Sequence, residues 1–158
     1  VYLAVDDLAA THASAVIKPG TKHTDPTTGK VYRFVKNQAT DAATQYYPCV
    51  YMDADPHDNE WEVTADISDG LDEGAFAGVA EKVEIPAGEY GWLLVEGVCE
   101  SCNITDAATV AIAVILDTVD GYFEAIVDTE LLAPAGVAFE TTTVAVTDNS
   151  LAIFIKAL

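Results

Sequence analysis

Phe76–Val98, FAGVAEKVEIPAGEYGWLLVEGV, decides how the rest of the chain is read. It predicts a strand, a tight turn and a second strand that is apolar on both faces, with Pro86, Gly88 and Gly91 as punctuation. Trp92-Leu93-Leu94-Val95 is its most apolar part. A short apolar run bounded by turn residues fits a strand at the centre of a β core. No residue in it forms a chemical motif.

The same rhythm continues outward. Towards the C-terminus, Glu100–Ala107 predicts a linker, and Thr109–Leu116, TVAIAVIL, has no polar residue after its first position. That pattern fits a strand buried on both faces. Asp117–Gly121 turns the chain and Tyr122–Val127 returns it, so residues 109–127 make a second hairpin. Leu131–Gly136 holds Pro134 and Gly136 and predicts a loop, and Thr141–Val146 with Leu151–Leu158 predicts a third hairpin through residues 147–150.

Towards the N-terminus, Val31–Val35 (VYRFV), Tyr46–Met52 (YYPCVYM) and Trp61–Ala65 (WEVTA) are strand candidates. Pro48 marks an edge or an end, because proline cannot donate to a ladder. Asn37–Gln45 and Asp128–Leu132 each have room for one helical turn. Strands at roughly ten-residue spacing with turn signals between them predict an all-β fold, a compact β-sandwich or β-barrel of hairpins. At 158 residues the chain fits one domain. Residues 31–158 are that domain. Residues 1–30, poor in core pattern and carrying Pro19-Gly20 and Asp25-Pro26, are either an extended N-terminal arm ordered by a partner or a frayed terminus.

Charge is abundant and unevenly placed. The chain has 26 acids against 7 bases, a net charge of −19. Residues 1–36 hold Lys18, Lys22, Lys30, Arg33 and Lys36 against Asp6, Asp7 and Asp25, a net +2, and residues 37–158 carry −21. Nucleic acid is a poor partner and none is expected, because that affinity comes from neutralising phosphates with Lys and Arg. Anionic membrane surfaces are disfavoured for the same reason. No apolar run reaches membrane-spanning length and no signal peptide is visible, so a soluble protein made inside the cell is expected. Val1 is not an initiator, so at least one residue is expected before it.

Candidate chemistry is sparse. Cys99-Glu100-Ser101-Cys102 is a CxxC, accompanied by Cys49 and by three scattered histidines, His12, His23 and His57. A structural zinc site needs four ligands, and a redox CxxC belongs at the start of a helix. Simple thiols or a local disulfide fit better. The acidic loops DADPHDNE (53–60) and DISDGLDEG (66–74) lack the oxygen spacing and sixth-position glycine of a calcium loop. They read as a solvated acidic rim. GxSxG, P-loop, GxGxxG and HExxH patterns are absent. Carboxylates are too numerous for any pair to be informative. Tyr46, Tyr47, Tyr51, Trp61, Tyr90 and Trp92 could line a sugar-binding face, but core packing is the plainer reading, above all for Trp92. No catalytic, cofactor-binding or metal-ligating residue is assigned, no cofactor is expected, and an enzyme is not expected.

Three stretches together carry a family resemblance: TDPTTGKVYRFVKN at 24–37, FAGVA at 76–80 and IPAGEYGWLLVEG at 85–97. They resemble small head decoration and capsid-stabilising proteins of tailed bacteriophages, over roughly residues 20–98. The last sixty residues match only as β hairpins, and the cysteines and acidic loops lie outside the pattern. The resemblance implies a non-enzymatic virion protein on the outer surface of an icosahedral capsid. It implies a homotrimer at three-fold or quasi-three-fold positions, with the major capsid protein as partner. On that reading the arm supplies the capsid contacts, with Lys18, Lys22, His23, Lys30 and Arg33 as candidates. A fibre, neck or tail subunit and a carbohydrate- or receptor-binding β module are the rival expectations.

Overall fold

The computed structural model describes residues 8–38, 40–52, 61–66, 75–104, 113–116, 123–125, 136–138 and 149–157. Among them are ten strands and no α-helix. The strands are β1 (Lys22–Thr24), β2 (Val31–Asn37), β3 (Pro48–Tyr51), β4 (Glu62–Thr64), β5 (Phe76–Val79), β6 (Tyr90–Ile104), β7 (Ala113–Leu116), β8 (Phe123–Ala125), β9 (Gly136–Ala138) and β10 (Asn149–Lys156). The chain is all-β, as its rhythm predicts.

The pairings decide between sandwich and barrel. β2, β4, β3, β5 and β6 pair in that order, and β6 pairs back onto β2, so five strands close a barrel. A second cycle runs β6, β10, β9, β7, β8 and returns to β6 through Ile104 and Phe123. Each cycle contains one parallel pair, β2–β4 in the first and β6–β8 in the second. β6, 15 residues long, is the strand common to both.

β6 keeps one apolar face along that length by two irregularities. Tyr32 faces Leu94 but Val31 faces Glu96, which leaves Val95 as an extra residue. Leu151 faces Cys102 but Ile153 faces Cys99, so Glu100 and Ser101 together oppose Ala152. An extra residue reverses the alternation of side chains beyond it. Trp92, Leu94, Cys99 and Cys102 therefore share one core cluster, although the step from 94 to 99 and the step from 99 to 102 are both odd. Phe123, Ile153 and Ile155 belong to the same cluster.

The opposite face of β6 supplies Leu93 to the barrel interior, with Val35, Cys49, Tyr51, Val63 and Ala77 from the other strands. Ile85 enters this interior from the 80–89 connection, bridged to Ala43 by two 2.9 Å backbone hydrogen bonds. Gly91 makes room for it, since a Cβ there would come within 2.7 Å of Ile85 Cγ1. β2 is buried on both faces, with Tyr32 and Phe34 in one cluster and Val35 in the other.

Several boundaries differ from expectation. β6 runs on through Ile104, where a linker is predicted from Glu100, because its bulges let it pair with β10 to the end. β5 and β6 pair only at Val79 and Leu94, so their connection is a wide excursion carrying Ile85 and not a tight turn. Pro48 opens β3 inside the closed barrel, at an end rather than an edge. Asn37–Gln45 forms no helical turn in its described part. Gly136 lies in β9 and not in a loop. The β7–β8 hairpin matches the predicted second hairpin. Thr141–Val146, Asp128–Leu132 and residues 53–60 lie outside the described residues, as do 67–74.

Candidate functional site

Residues 8–30, expected as an extended arm, lie along the barrel here. Leu8 is buried in the cluster of Tyr32, Phe34 and Trp92. His12 and Tyr90 exchange two backbone hydrogen bonds of 2.9 Å, and the His12 ring lies 6.2 Å from Phe34. β1 pairs with β2 antiparallel, Lys22 facing Arg33 and Thr24 facing Val31. The chain reverses at Asp25-Pro26-Thr27-Thr28-Gly29 because the Asp25 carboxylate gathers the turn. It accepts from the Thr27 N–H at 2.8 Å and the Thr28 hydroxyl at 2.6 Å, while Gly29 N–H donates to the Asp25 carbonyl. These bonds, the Thr28 hydroxyl first, hold Asp25 below the usual carboxylate range.

The five candidate contact residues separate into two groups. Lys18 and Lys22 are exposed, and among the described residues neither forms an ion pair. His23 is half-buried with its ring 6.0 Å from Trp92. Lys30 and Arg33 are turned to the protein itself. Lys30 Nζ pairs with the Glu81 carboxylate, whose other oxygen accepts from the Tyr32 hydroxyl at 2.5 Å. Arg33 is 4% exposed. Its Nη1 donates to the Tyr51 hydroxyl, and its guanidinium lies over the Trp61 ring. Alternation along β2 aims Arg33 at Tyr51 and Trp61, with its neighbours Tyr32 and Phe34 on the opposite side. Lys36 pairs with Glu62 at 3.0 Å.

The role of Glu81 had only a weak sequence signal, while the CxxC was singled out in the sequence. Glu81 is 8% exposed, and it gathers Lys30, Tyr32 and, at 4.0 Å, Lys82. Burial first and the Glu81 contact second push the Tyr32 hydroxyl far above its ordinary value. Cys99 and Cys102 form a disulfide, one of the two readings preferred for the CxxC, and both are fully buried. Cys49 is a free thiol in the barrel interior, and burial pushes it up to about 12.

Among the described residues, two open grooves share Glu100. One, of about 210 Å³, lies between Gln45-Tyr46, Glu81-Lys82 and Glu100-Ser101. The other, of about 440 Å³, lies between Thr28–Lys30, Glu96–Val98, Glu100 and Phe154. No group of three or more His, Cys, Asp or Glu is placed to hold a metal ion among the described residues. Trp92 is buried, as predicted, and Trp61, Tyr46, Tyr47 and Tyr90 are half-buried against the core. Among the described residues the large exposed apolar side chains are Val16, 54% exposed, and Met52, 40% exposed.

No family model matches the chain, and no curated protein matches it. Among solved structures, the chain is similar to the N base of the head fibre gp8.5 of bacteriophage phi29. The identity is 13%, the TM-score is 0.48, and the match covers 80% of this chain and 98% of that one.

Proposed function

We propose that this chain is a structural protein of a tailed-phage virion that binds the outer surface of the icosahedral capsid and stabilises it. It acts as a trimer at three-fold or quasi-three-fold positions, with the major capsid protein as its partner and no catalytic role. The reading is supported by the resemblance of residues 24–37, 76–80 and 85–97 to head decoration proteins.

The observation that carries it is the placement of charge. Between Asp7 and Asp41 the sole carboxylate is Asp25, tied into its own turn, and Lys18 and Lys22 stand exposed in this stretch. Residues 37–158 carry −21. One surface can thus approach an acidic partner while the body repels its neighbours. A strongly acidic body suits the outer side of a shell, away from packed DNA.

The test is to purify the particles that carry this gene and locate the protein by mass spectrometry and cryo-electron microscopy. Hundreds of copies on the shell are expected. A few copies at a fibre or neck would replace this role with another virion role, and absence from particles would overturn the reading.

A further inference from the structure

We propose that the free edge of β1 takes an extended, acidic segment of the shell subunit as an added strand. Among the described residues, nine of the ten strands lie in one of the two closed cycles, and β1 alone pairs on one side only. An unpaired edge presents backbone N–H and C=O groups to any extended chain of suitable character.

The hydrogen-bond register says which groups these are. Phe34 N–H donates to the Thr21 carbonyl at 2.9 Å, and Asp25 N–H donates to the Lys30 carbonyl at 2.9 Å. In an antiparallel ladder bonded pairs alternate with non-bonded pairs. The bonded positions are thus 21, 23 and 25, and the backbone groups of Lys22 and Thr24 point away from β2. Both residues also have exposed side chains.

Charge chooses the occupant. Residues 8–24 contain no carboxylate, in a chain with 26, and they carry Lys18 and Lys22. The two cations nearest in β2 and its turn, Arg33 and Lys30, are engaged inside the fold. A partner strand with carboxylates at alternate positions would meet Lys22 directly. The β1 of a second copy would instead bring another lysine beside Lys22, and edge lysines oppose such pairing. The inference rests on the virion reading for the identity of the partner.

The experiment uses the full chain, labelled for NMR, and a blocked six-residue peptide of alternating glutamate and valine flanked by threonine. The expected result is slowed exchange of the Lys22 and Thr24 amides, by about fivefold or more near saturation. A peptide with lysine in place of glutamate is expected to leave them unchanged. Thr24→Pro removes an outward N–H without touching the bonds to β2, and is expected to abolish binding. Lys22→Glu is expected to weaken it by roughly five- to tenfold, and serves if the proline variant does not fold. Equal protection by both peptides, no protection, or protection by self-association without peptide would overturn the proposal. Any of these leaves the virion reading standing, while absence of the protein from particles removes that reading and not the peptide result.

Discussion

The guanidinium carbon of Arg33 lies 4.6 Å from the centre of the Trp61 ring and 6.0 Å from that of Tyr51. The same guanidinium donates to the Tyr51 hydroxyl. A buried cation held by an aromatic face and a phenol is a packing element, and lysine lacks the planar fork that makes both contacts. Arg33→Lys is expected to destabilise the fold by about 1–3 kcal/mol, as lower urea midpoints would show. It is expected to leave particle binding unchanged once the protein is folded. Lost particle binding at unchanged stability would return Arg33 to the contact surface.

Gly20 meets the indole of Trp61. Its φ is +84°, and a Cβ would fall 2.1 Å from Trp61 Nε1. The backbone there also pairs with β2, Gly20 N–H donating to the Phe34 carbonyl at 2.7 Å. Gly20→Ala must strain the backbone and displace the ring, so a loss of roughly 1–3 kcal/mol is expected. A variant as stable as the parent in urea would mean that residues 18–21 do not rest on Trp61.

Charge reversal at the two exposed lysines separates contact from fold. Deleting residues 1–22 is a poor test of capsid contact, because it removes Leu8, the His12–Tyr90 bridge and the start of β1. The double variant Lys18→Glu, Lys22→Glu is expected to keep its unfolding free energy in urea within about 0.5 kcal/mol of the parent, since exposed substitutions cost little. Its particle binding is expected to fall at least about tenfold and to lose most of its salt dependence. Binding that is unchanged and equally salt-sensitive would place the shell contact elsewhere.

The disulfide closes a very short loop. Four residues from Cys99 to Cys102 correspond to about 2 kcal/mol of chain-entropy stabilisation in the loop-closure account. Reduction under denaturant followed by refolding in reductant is expected to lower stability by about that amount. The double variant Cys99→Ala, Cys102→Ala is expected to be insensitive to reductant, and Cys49→Ala to remain sensitive. A parent protein that reductant leaves unchanged would argue that the two thiols are not joined.

Local pattern shows in the sequence, while closure and register do not. β2, β3, β4, β5 and the first half of β6 fall where alternation, apolar runs and turn residues place them. What escapes is long-range. The β2–β4 and β6–β8 pairs are parallel contacts between distant segments, one in each cycle, and β2–β6 closes the barrel. Bulges at Val95 and at Glu100-Ser101 extend β6 beyond its predicted end and turn an odd-spaced CxxC to one face. No residue type announces a bulge here. The burial of Arg33 escapes for a similar reason. Arginine is ordinarily exposed, and the aromatic pair that buries it comes from β3 and the residue before β4. Lys18 and Lys22 are exposed.

Three buried acidic groups give stability an alkaline limit. Burial pushes the Cys49 thiol from its ordinary 9.0 up to about 12. Tyr32 and Tyr51 are raised above their ordinary 10.0, burial being the first cause in each. A group raised in the folded state favours folding fully below its unfolded value and loses that contribution as pH climbs towards the folded one. Stability from these groups is thus complete below pH 9, because all three are protonated in both states. Above pH 9 the unfolded chain releases the Cys49 proton while the folded barrel keeps it, at a slope of up to about 1.4 kcal/mol per pH unit. Above pH 10 the two tyrosines steepen the fall. Cysteines 99 and 102 do not titrate while joined. Urea midpoints measured from about pH 8 to 11 are expected to stay level and then drop in these two stages. Cys49→Ala is expected to move the onset from near pH 9 to near pH 10. A parent curve level beyond pH 10 would mean that the thiol and both phenols ionise as freely folded as unfolded, and that the barrel interior admits water.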